Sequence, residues 1–334
     1  MRFSIRLNND LPLTEYIALA QAAEAAGFDQ LWVSHDLFLR SALVILPAVA
    51  QATTRLEIGA GILNPYTVHP AEIAMFAATM DELSGNRFNL GLAAGAGEFL
   101  KWVGIEQAEP LAAMRETVLA VRRLLAGERV ALAGRFLRWG EEAYLRFAPP
   151  RVTPIYLGAM GPKMLALAGE LADGVLPLLF PPEHYFGVQP LVAHGAARRT
   201  AALPWLDLAA CIWVSVADDR SSARRALAEK VAYYGHALSP LIYEQLGLTR
   251  ADFAPIEHAM MVERDTEKAI ARVDERMLRI GVAGGPAEVI ARLEPLVAAG
   301  AQHLSFGPPL GPDVREAVRI LARVIQHFRH LDGS

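Results

Sequence analysis

The sequence predicts an α/β fold, a (β/α)8 TIM barrel carrying insertions, on three observations. Short apolar, β-prone runs alternate with longer runs of helical period along nearly the whole chain, giving eight strand–helix pairs. The strands are apolar at consecutive positions, as parallel strands buried on both faces are. The first strand-to-helix turn, Leu7–Leu13, contains no glycine, whereas an open dinucleotide-binding sheet keeps its phosphate loop there. Eight such units close more naturally into a barrel than they spread into an open sheet.

Arg2–Leu7 reads as the first strand and Thr14–Ala26 as the first helix, with Leu19, Ala22, Ala23 and Ala26 on its packed side and Gly27 as its stop. Gln30–Ser34 is the second strand, followed by His35 and Asp36 and then by an apolar helix through Ile45–Gln51. Arg55–Leu63 and His69–Leu83 make the third pair, and Asn86–Gly95 with Pro110–Ala126 the fourth. There the alternation breaks. Val130–Trp139 alternates apolar residues around Ala133-Gly134, the pattern of a β-hairpin inserted before strand five. Ile155–Leu157 is strand five, and its turn feeds a helix in which Met164, Leu165, Leu167, Ala168 and Leu171 recur at helical spacing. Gly174–Phe180 and a helix over 183–199 form the sixth pair, and Asp207–Ala217 is a strongly apolar seventh strand. Arg220–Arg279 is mostly helical, with breaks at Pro240, Gly247 and Pro255. It reads as a helical insertion, about 220–279, within a single domain spanning 1–334. Gly284-Gly285-Pro286 opens a helix to Ala299, Ala301–Gly307 is strand eight, and Asp313–His330 is the closing helix.

With 334 residues and 53% hydrophobic content the chain can bury a large core. A net charge of -4 and a pI near 6.2 give no electrostatic reason to expect nucleic acid or an anionic membrane as partner. No apolar run reaches the ~20 residues that cross a bilayer, and MRFSIRLNND is too polar for a signal peptide, so a cytoplasmic protein is expected. The single cysteine, Cys211, lies in LAACIWVSV and reads as a small buried hydrophobe. No metal site is signalled.

In a barrel the C-terminal ends of all strands share one mouth, where barrel enzymes keep their chemistry. The residues that fall there are Arg6 and Asn8, His35 and Asp36, Gly61, Ile62, Leu63 and Asn64, Gly95 to Glu98, Gly158 to Lys163, and Ser305. His35 and Asp36 form an adjacent imidazole and carboxylate with two readings: a proton-transfer pair, or a local hydrogen bond and a helix cap. In GAGILNPYTVHP, glycines inside a strand mark a bulge, a close backbone approach by a ligand, or a barrel-corner bend. Gly158, Ala159, Met160, Gly161, Pro162 and Lys163 lead from strand to helix. They read either as an anion site, with free helix N–H groups and a lysine, or as a plain tight turn. His69 stands where a cap is needed, while Tyr233, Tyr234 and His236 have the spacing of a packed face. The Pro-Pro pairs at 149-150, 181-182 and 308-309 read as loop stiffeners.

GAGILNPYTVHPAEIAMFAATMDELSGNRFNLGLAAGAG (59–97) and PIYLGAMGPKMLALAGELADGVL (154–176), with FDQLWVSHD and GGPAEVIARLEPLVAAGAQHLSFGPP, strongly resemble the bacterial-luciferase-like superfamily. Within it the chain is most similar to the methylenetetrahydromethanopterin reductase group, which uses the deazaflavin coenzyme F420. The resemblance implies a barrel that works as a homodimer on a small-molecule substrate, with a flavin or deazaflavin at its mouth. It implies a non-proline cis peptide at Gly61-Ile62 that bulges against the tricyclic ring, and a phosphate held by Gly158–Lys163. His35-Asp36 falls where many members carry Asp then His, so the order is reversed here. The function implied is F420-dependent hydride transfer. The alternatives are an FMN-dependent monooxygenase and a flavin-binding protein without turnover. A deazaflavin lacks the nitrogen at ring position 5 and does not readily take the oxygen route.

Overall fold

A computed structural model of the chain describes residues 1–200, 203 and 205–332; the span 1–334 expected for the domain therefore includes residues outside those described. The chain begins with β1 (Arg2–Leu7), α1 (Leu13–Ala26), β2 (Gln30–Val33), α2 (Ala42–Ala52), β3 (Glu57–Leu63), α3 (Pro70–Ser84) and β4 (Phe88–Leu92). A short α4 (Gly97–Lys101), unforeseen in the sequence, precedes α5 (Pro110–Leu125). Two-residue strands β5 (Leu132–Ala133) and β6 (Arg138–Trp139) then pair antiparallel where the hairpin was expected. Next come β7 (Ile155–Gly158), α6 (Pro162–Leu171), β8 (Gly174–Leu176), α7 (Tyr185–Ala196) and β9 (Asp207–Val216).

After β9 the chain runs through α8 (Arg220–Tyr234), α9 (Pro240–Leu246), α10 (Arg250–Glu257), α11 (Thr266–Ile270) and α12 (Glu275–Leu278). It returns by β10 (Val282–Gly284), α13 (Pro286–Ala298), β11 (His303–Leu310) and α14 (Val314–Asp332). Strand β10 was missed by the sequence reading, which placed only a helix start there. Three residues give too little periodicity to register, and its pairing with Val214–Val216 of β9 is a long-range event. Strand six ends at Leu176, not Phe180, although Leu178 still bridges Cys211. Strand eight runs on through Pro308 and Pro309, so that pair lies inside a strand, with a register shift between Gly307 and Leu310.

The barrel closes in the order β1-β2-β3-β4-β7-β8-β9-β11, every pair parallel, and β11 returns to β1 through Arg2↔His303 to Ile5↔Phe306. In this ring β3, β4 and β7 stand opposite β9, β11 and β1, and this opposition organises the mouth. The main core lies between strands and helices, from Phe3, Ile5 and Leu31 inside to Ile73, Val118, Leu165, Leu293 and Leu321 on the helices. A second cluster fills the barrel interior: Trp32, Tyr156, Leu176, Ala209 and Cys211. A third joins Phe180 and Trp213 to α8–α11.

Glycines on the neighbouring strands leave space for the interior side chains. A Cβ at Gly59 would sit 2.2 Å from the Trp32 ring, and one at Gly174 would sit 2.1 Å from the Tyr156 ring. Below them a buried polar network plugs the N-terminal end of the barrel. One oxygen of Asp207, Oδ2, accepts from Arg2 Nη1 (3.1 Å) and Tyr156 OH (2.9 Å) and lies 2.8 Å from His303 Nδ1. His303 Nε2 lies 2.8 Å from Ser4 Oγ, which donates to Ser305 Oγ (2.7 Å). Ser305 thus belongs to the barrel interior and not to the mouth where the sequence reading placed it.

Candidate active site

Strand β3 ends in a bulge. The Gly61–Ile62 peptide is cis, and the pairing of β3 with β4 shifts register between Ala60 and Leu63. The bulge lays Ile62 across the two next strands, since its Cγ2 would stand 3.3 Å from a Cβ at Gly91 and 3.5 Å from one at Gly158. The absence of side chains at both glycines makes a shelf on the β3-β4-β7 side. Asn64 and Gly95 meet at its edge: Gly95 has φ 76°, and a Cβ there would strike Asn64 Nδ2 at 2.3 Å. Asn64 Oδ1 accepts from Tyr66 N (2.8 Å), and Gln107 Nε2 donates to Ala94 O and Gly95 O (2.8 and 2.9 Å), so these residues hold the rim in shape. Leu63 is fully buried in the core behind the shelf.

Beyond Gly158 the turn Ala159-Met160-Gly161 opens directly into α6, with Pro162 at its first position and no side-chain cap. Proline has no N–H to satisfy and its φ suits a helix start. The first N–H of α6 with an acceptor is that of Leu165, on Gly161 O (2.9 Å), which leaves the N–H groups of Lys163 and Met164 for a ligand at the positive end of the helix dipole. Lys163 is exposed beside them.

His35 and Asp36 have separated roles. His35 Nδ1 accepts from Ala42 N (3.2 Å), so the imidazole caps α2, and burial pushes its pKa down against the opposing pull of Asp36. The histidine is neutral, with Nε2 carrying the proton. Asp36 does not cap; its backbone is clipped to Asn9 in both directions, and its carboxyl makes no hydrogen bond among the described residues. Asp36 is exposed at the C-terminal end of β2. Loss of water raises its pKa, Lys230 and His35 oppose the rise, and Asp10 adds to it.

Lys230, on α8, is near enough to Asp36 for each charge to act on the other. Its ammonium lies 4.0 Å from the centroid of the Tyr234 ring and 5.4 Å from that of Trp213, and burial pulls its pKa down to about 8. Burial likewise lifts Tyr234 to about 12. Arg6 completes this side: Nη2 donates to Ile212 O (3.1 Å), Nε is buried without a partner, and a Cβ at Gly307 would lie 2.2 Å from Nη2.

The structure therefore brings Gly61, Ile62 and Gly158 onto one shelf, puts Met160, Gly161, Pro162 and Lys163 at its outer edge, and sets Asp36 between the shelf and α8. Ala159 is buried behind the turn. His69 caps α3 through Ala71 N (3.3 Å), as expected, while Tyr233 is exposed, its ring meeting only that of Tyr234 among the aromatic contacts of the described residues. Lys230 and Trp213 were missed, and Tyr234, expected on a packed face, packs there and also carries the lysine on its ring. The available signal was the α8 stripe Ala223, Leu227, Lys230, Tyr234, in which a lysine occupies a position on the apolar face. No group of three or more His, Cys, Asp or Glu that could hold a metal occurs among the described residues, and none of their helices is long and apolar enough to cross a membrane.

A closed parallel barrel with a bulged β3 and an open helix start after β7 defines a barrel protein with a candidate site at its C-terminal mouth, and residues 1–303 match the family described as luciferase-like monooxygenase. The chain belongs to that family. It is 32% identical over 329 residues to the 5,10-methylenetetrahydromethanopterin reductase of Archaeoglobus fulgidus, covering 97% of this chain and 98% of that one. It is 30% identical over 344 residues to the F420-dependent glucose-6-phosphate dehydrogenase of Nakamurella multipartita, covering 96% and 94%. Among solved structures, the coenzyme F420 dependent tetrahydromethanopterin reductase from Methanopyrus kandleri superposes with a TM-score of 0.89 at 29% identity, covering 98% and 99%.

Proposed function

We propose that this chain is a coenzyme F420-dependent oxidoreductase that passes hydride to or from a small organic substrate at the barrel mouth. The observation that carries the reading is the coincidence, on one half of the mouth, of the Ile62 shelf and the open start of α6. A flat ring laid on Ile62 and Gly158 leaves its phosphate within the field of Lys163 and the N–H groups of Lys163 and Met164, so the residues present fit a tricyclic phosphate-bearing cofactor. The relatives named above, two of them described as F420-dependent, support the deazaflavin.

When bound, the deazaflavin supplies the hydride chemistry. The protein's residues then do three things. Ile62 and Gly158 would hold the ring, on the side of the mouth opposite β9, β11 and β1. Asp36, whose pKa is raised by loss of water, can exchange a proton with the substrate atom that gains or loses one. His35, tied to Ala42 N, orients the Ser34–Asp36 segment and presents Nε2–H.

The exposed apolar side chains Val44, Met75 and Leu83 on the adjoining helices α2 and α3 support a homodimer. Unpaired, buried Cys211 is compatible with the reducing cytoplasm. An FMN-dependent monooxygenase is the second reading, favoured by the description of the family. Titrating purified apoprotein with F420 and, separately, with FMN, followed by fluorescence, decides between them. The expected result is saturable F420 binding with FMN at least about 10-fold weaker; tight FMN binding with none for F420 overturns the proposal.

A further inference from the structure

Two cations stand against β9 on the side of the mouth away from the shelf, and neither forms an ion pair among the described residues. Arg6 rises from the end of β1 and Lys230 descends from α8; each is close enough to the other for Arg6 to weaken the lysine's hold on its proton. Asp10 and Asp36 act in the opposite sense on Lys230, yet among the described residues neither acid forms an ion pair with either cation. Lys230 rests on the faces of Tyr234 and Trp213 with no hydrogen-bond acceptor, and Arg6 makes one hydrogen bond, leaving its buried Nε unpartnered. Bringing like charges together away from bulk water is unfavourable, and so is a buried donor without an acceptor. The place for Arg6 is also built into the sequence, because any side chain at Gly307 would collide with its guanidinium. Such donors await an acceptor. The aromatic wall of Trp213, Phe180 and Tyr234 holds the lysine in place without consuming its three N–H donors.

Resting on the functional reading above, we propose that Arg6 and Lys230 form the substrate subsite for an anionic oxygen group, a carboxylate or a phosphate, so that the enzyme's substrate is an organic anion. Ring closure places β9, β11 and β1 opposite β3, β4 and β7, so this subsite faces the shelf across the mouth and stays open when the shelf is filled. The substrate would be gripped by its anionic end at α8, with its reacting carbon toward the shelf and Asp36 beside it. Anions with no second group to span the mouth would bind weakly but measurably.

The test is calorimetric titration of the apoprotein and of the F420-loaded protein with inorganic phosphate and, separately, with succinate, for the wild type, Lys230→Met and Lys230→Arg, with thermal melts as the folding control. The proposal expects one of the two anions to bind the wild type with and without F420, Lys230→Met to weaken it at least about 10-fold, and Lys230→Arg to restore most of it, while F420 affinity changes less than about 3-fold. Phosphate binding alone assigns a phosphorylated substrate, and succinate alone a carboxylate. Absence of anion binding to the F420-loaded protein, where the start of α6 is already filled, or equal binding there in Lys230→Met, overturns it. If F420 fails to bind at all, the functional reading fails, while the apoprotein titration still judges the anion subsite.

Discussion

Trp32 and Gly59 offer the most quantitative test of how the floor of the mouth is built. Trp32 is 1% exposed, its Nε1 donates to Gln30 Oε1 (3.0 Å), and its ring meets Tyr156 edge-on at 5.0 Å between centroids. Trp32→Ala removes a fully buried indole packed among Tyr156, Leu176 and Ile62 inside the closed barrel, and the loss is about 3–5 kcal/mol. Gly59→Ala fails for the opposite reason: its Cβ would lie 2.2 Å from a ring that has nowhere to move, an overpacking cost of about 1–3 kcal/mol. The two faults are complementary. In the Trp32→Ala background the alanine at 59 meets empty space, so the double variant should be no less stable than Trp32→Ala alone, a coupling of about 1–3 kcal/mol. Guanidinium unfolding midpoints at constant m-value measure all four proteins. Additive losses, or a Trp32→Ala cost below about 1 kcal/mol, would refute the packing argument and return Gly59 to the alternative of close approach by a ligand.

Other perturbations follow from the same geometry. Asp207→Asn should destabilise by about 3–5 kcal/mol, because it strands Arg2 and His303 in the closed end of the barrel; melting or denaturant curves check this. Burial acts to raise the Asp207 pKa, but His303, Arg2 and Tyr156 outweigh it and hold the group below its unfolded value. Its stabilisation is therefore present above the unfolded carboxylate pKa and lost as pH falls through the folded one, an acid limb that Asp207→Asn should lack. Lys163→Ala should weaken F420 about 10- to 100-fold by fluorescence titration and leave the melting temperature unchanged, since the side chain is exposed. Asp36→Asn should lower turnover about 100-fold or more with F420 affinity nearly intact, and remove an ionisation from the pH–rate profile. Anion affinity at Lys230 should fall as pH rises through about 8, because the charged ammonium is the binding form; Lys230→Arg should abolish that fall.

The strand–helix alternation was legible because each unit carries its own signals, such as Gly27 and Gly85 in left-handed stops and Pro70, Pro110 and Pro162 at helix starts. The β3 bulge and the strand-to-helix turn before α6 were legible because both are local, within a few residues of Gly61 and within Gly158–Lys163. What escaped depends on distant partners. The extra strand β10 exists only against β9, and the position of Ser305 in the interior network requires Ser4, 301 residues away. Lys230 acquires its meaning only when α8 folds back over the mouth beside Arg6, more than 200 positions earlier in the chain. His35 and Asp36 were found as a pair, but which one caps α2 was settled by backbone direction, which the sequence does not display.

The central claim is that a deazaflavin lies between the β3 bulge and the start of α6, and a structure of the protein with F420 bound tests it most directly. The account predicts the ring resting on Ile62 with the cis Gly61–Ile62 peptide retained, the phosphate on the N–H groups of Lys163 and Met164, and the Arg6–Lys230 side of the mouth left open. A ring bound over β9 and β11, or a phosphate held away from α6, would contradict it.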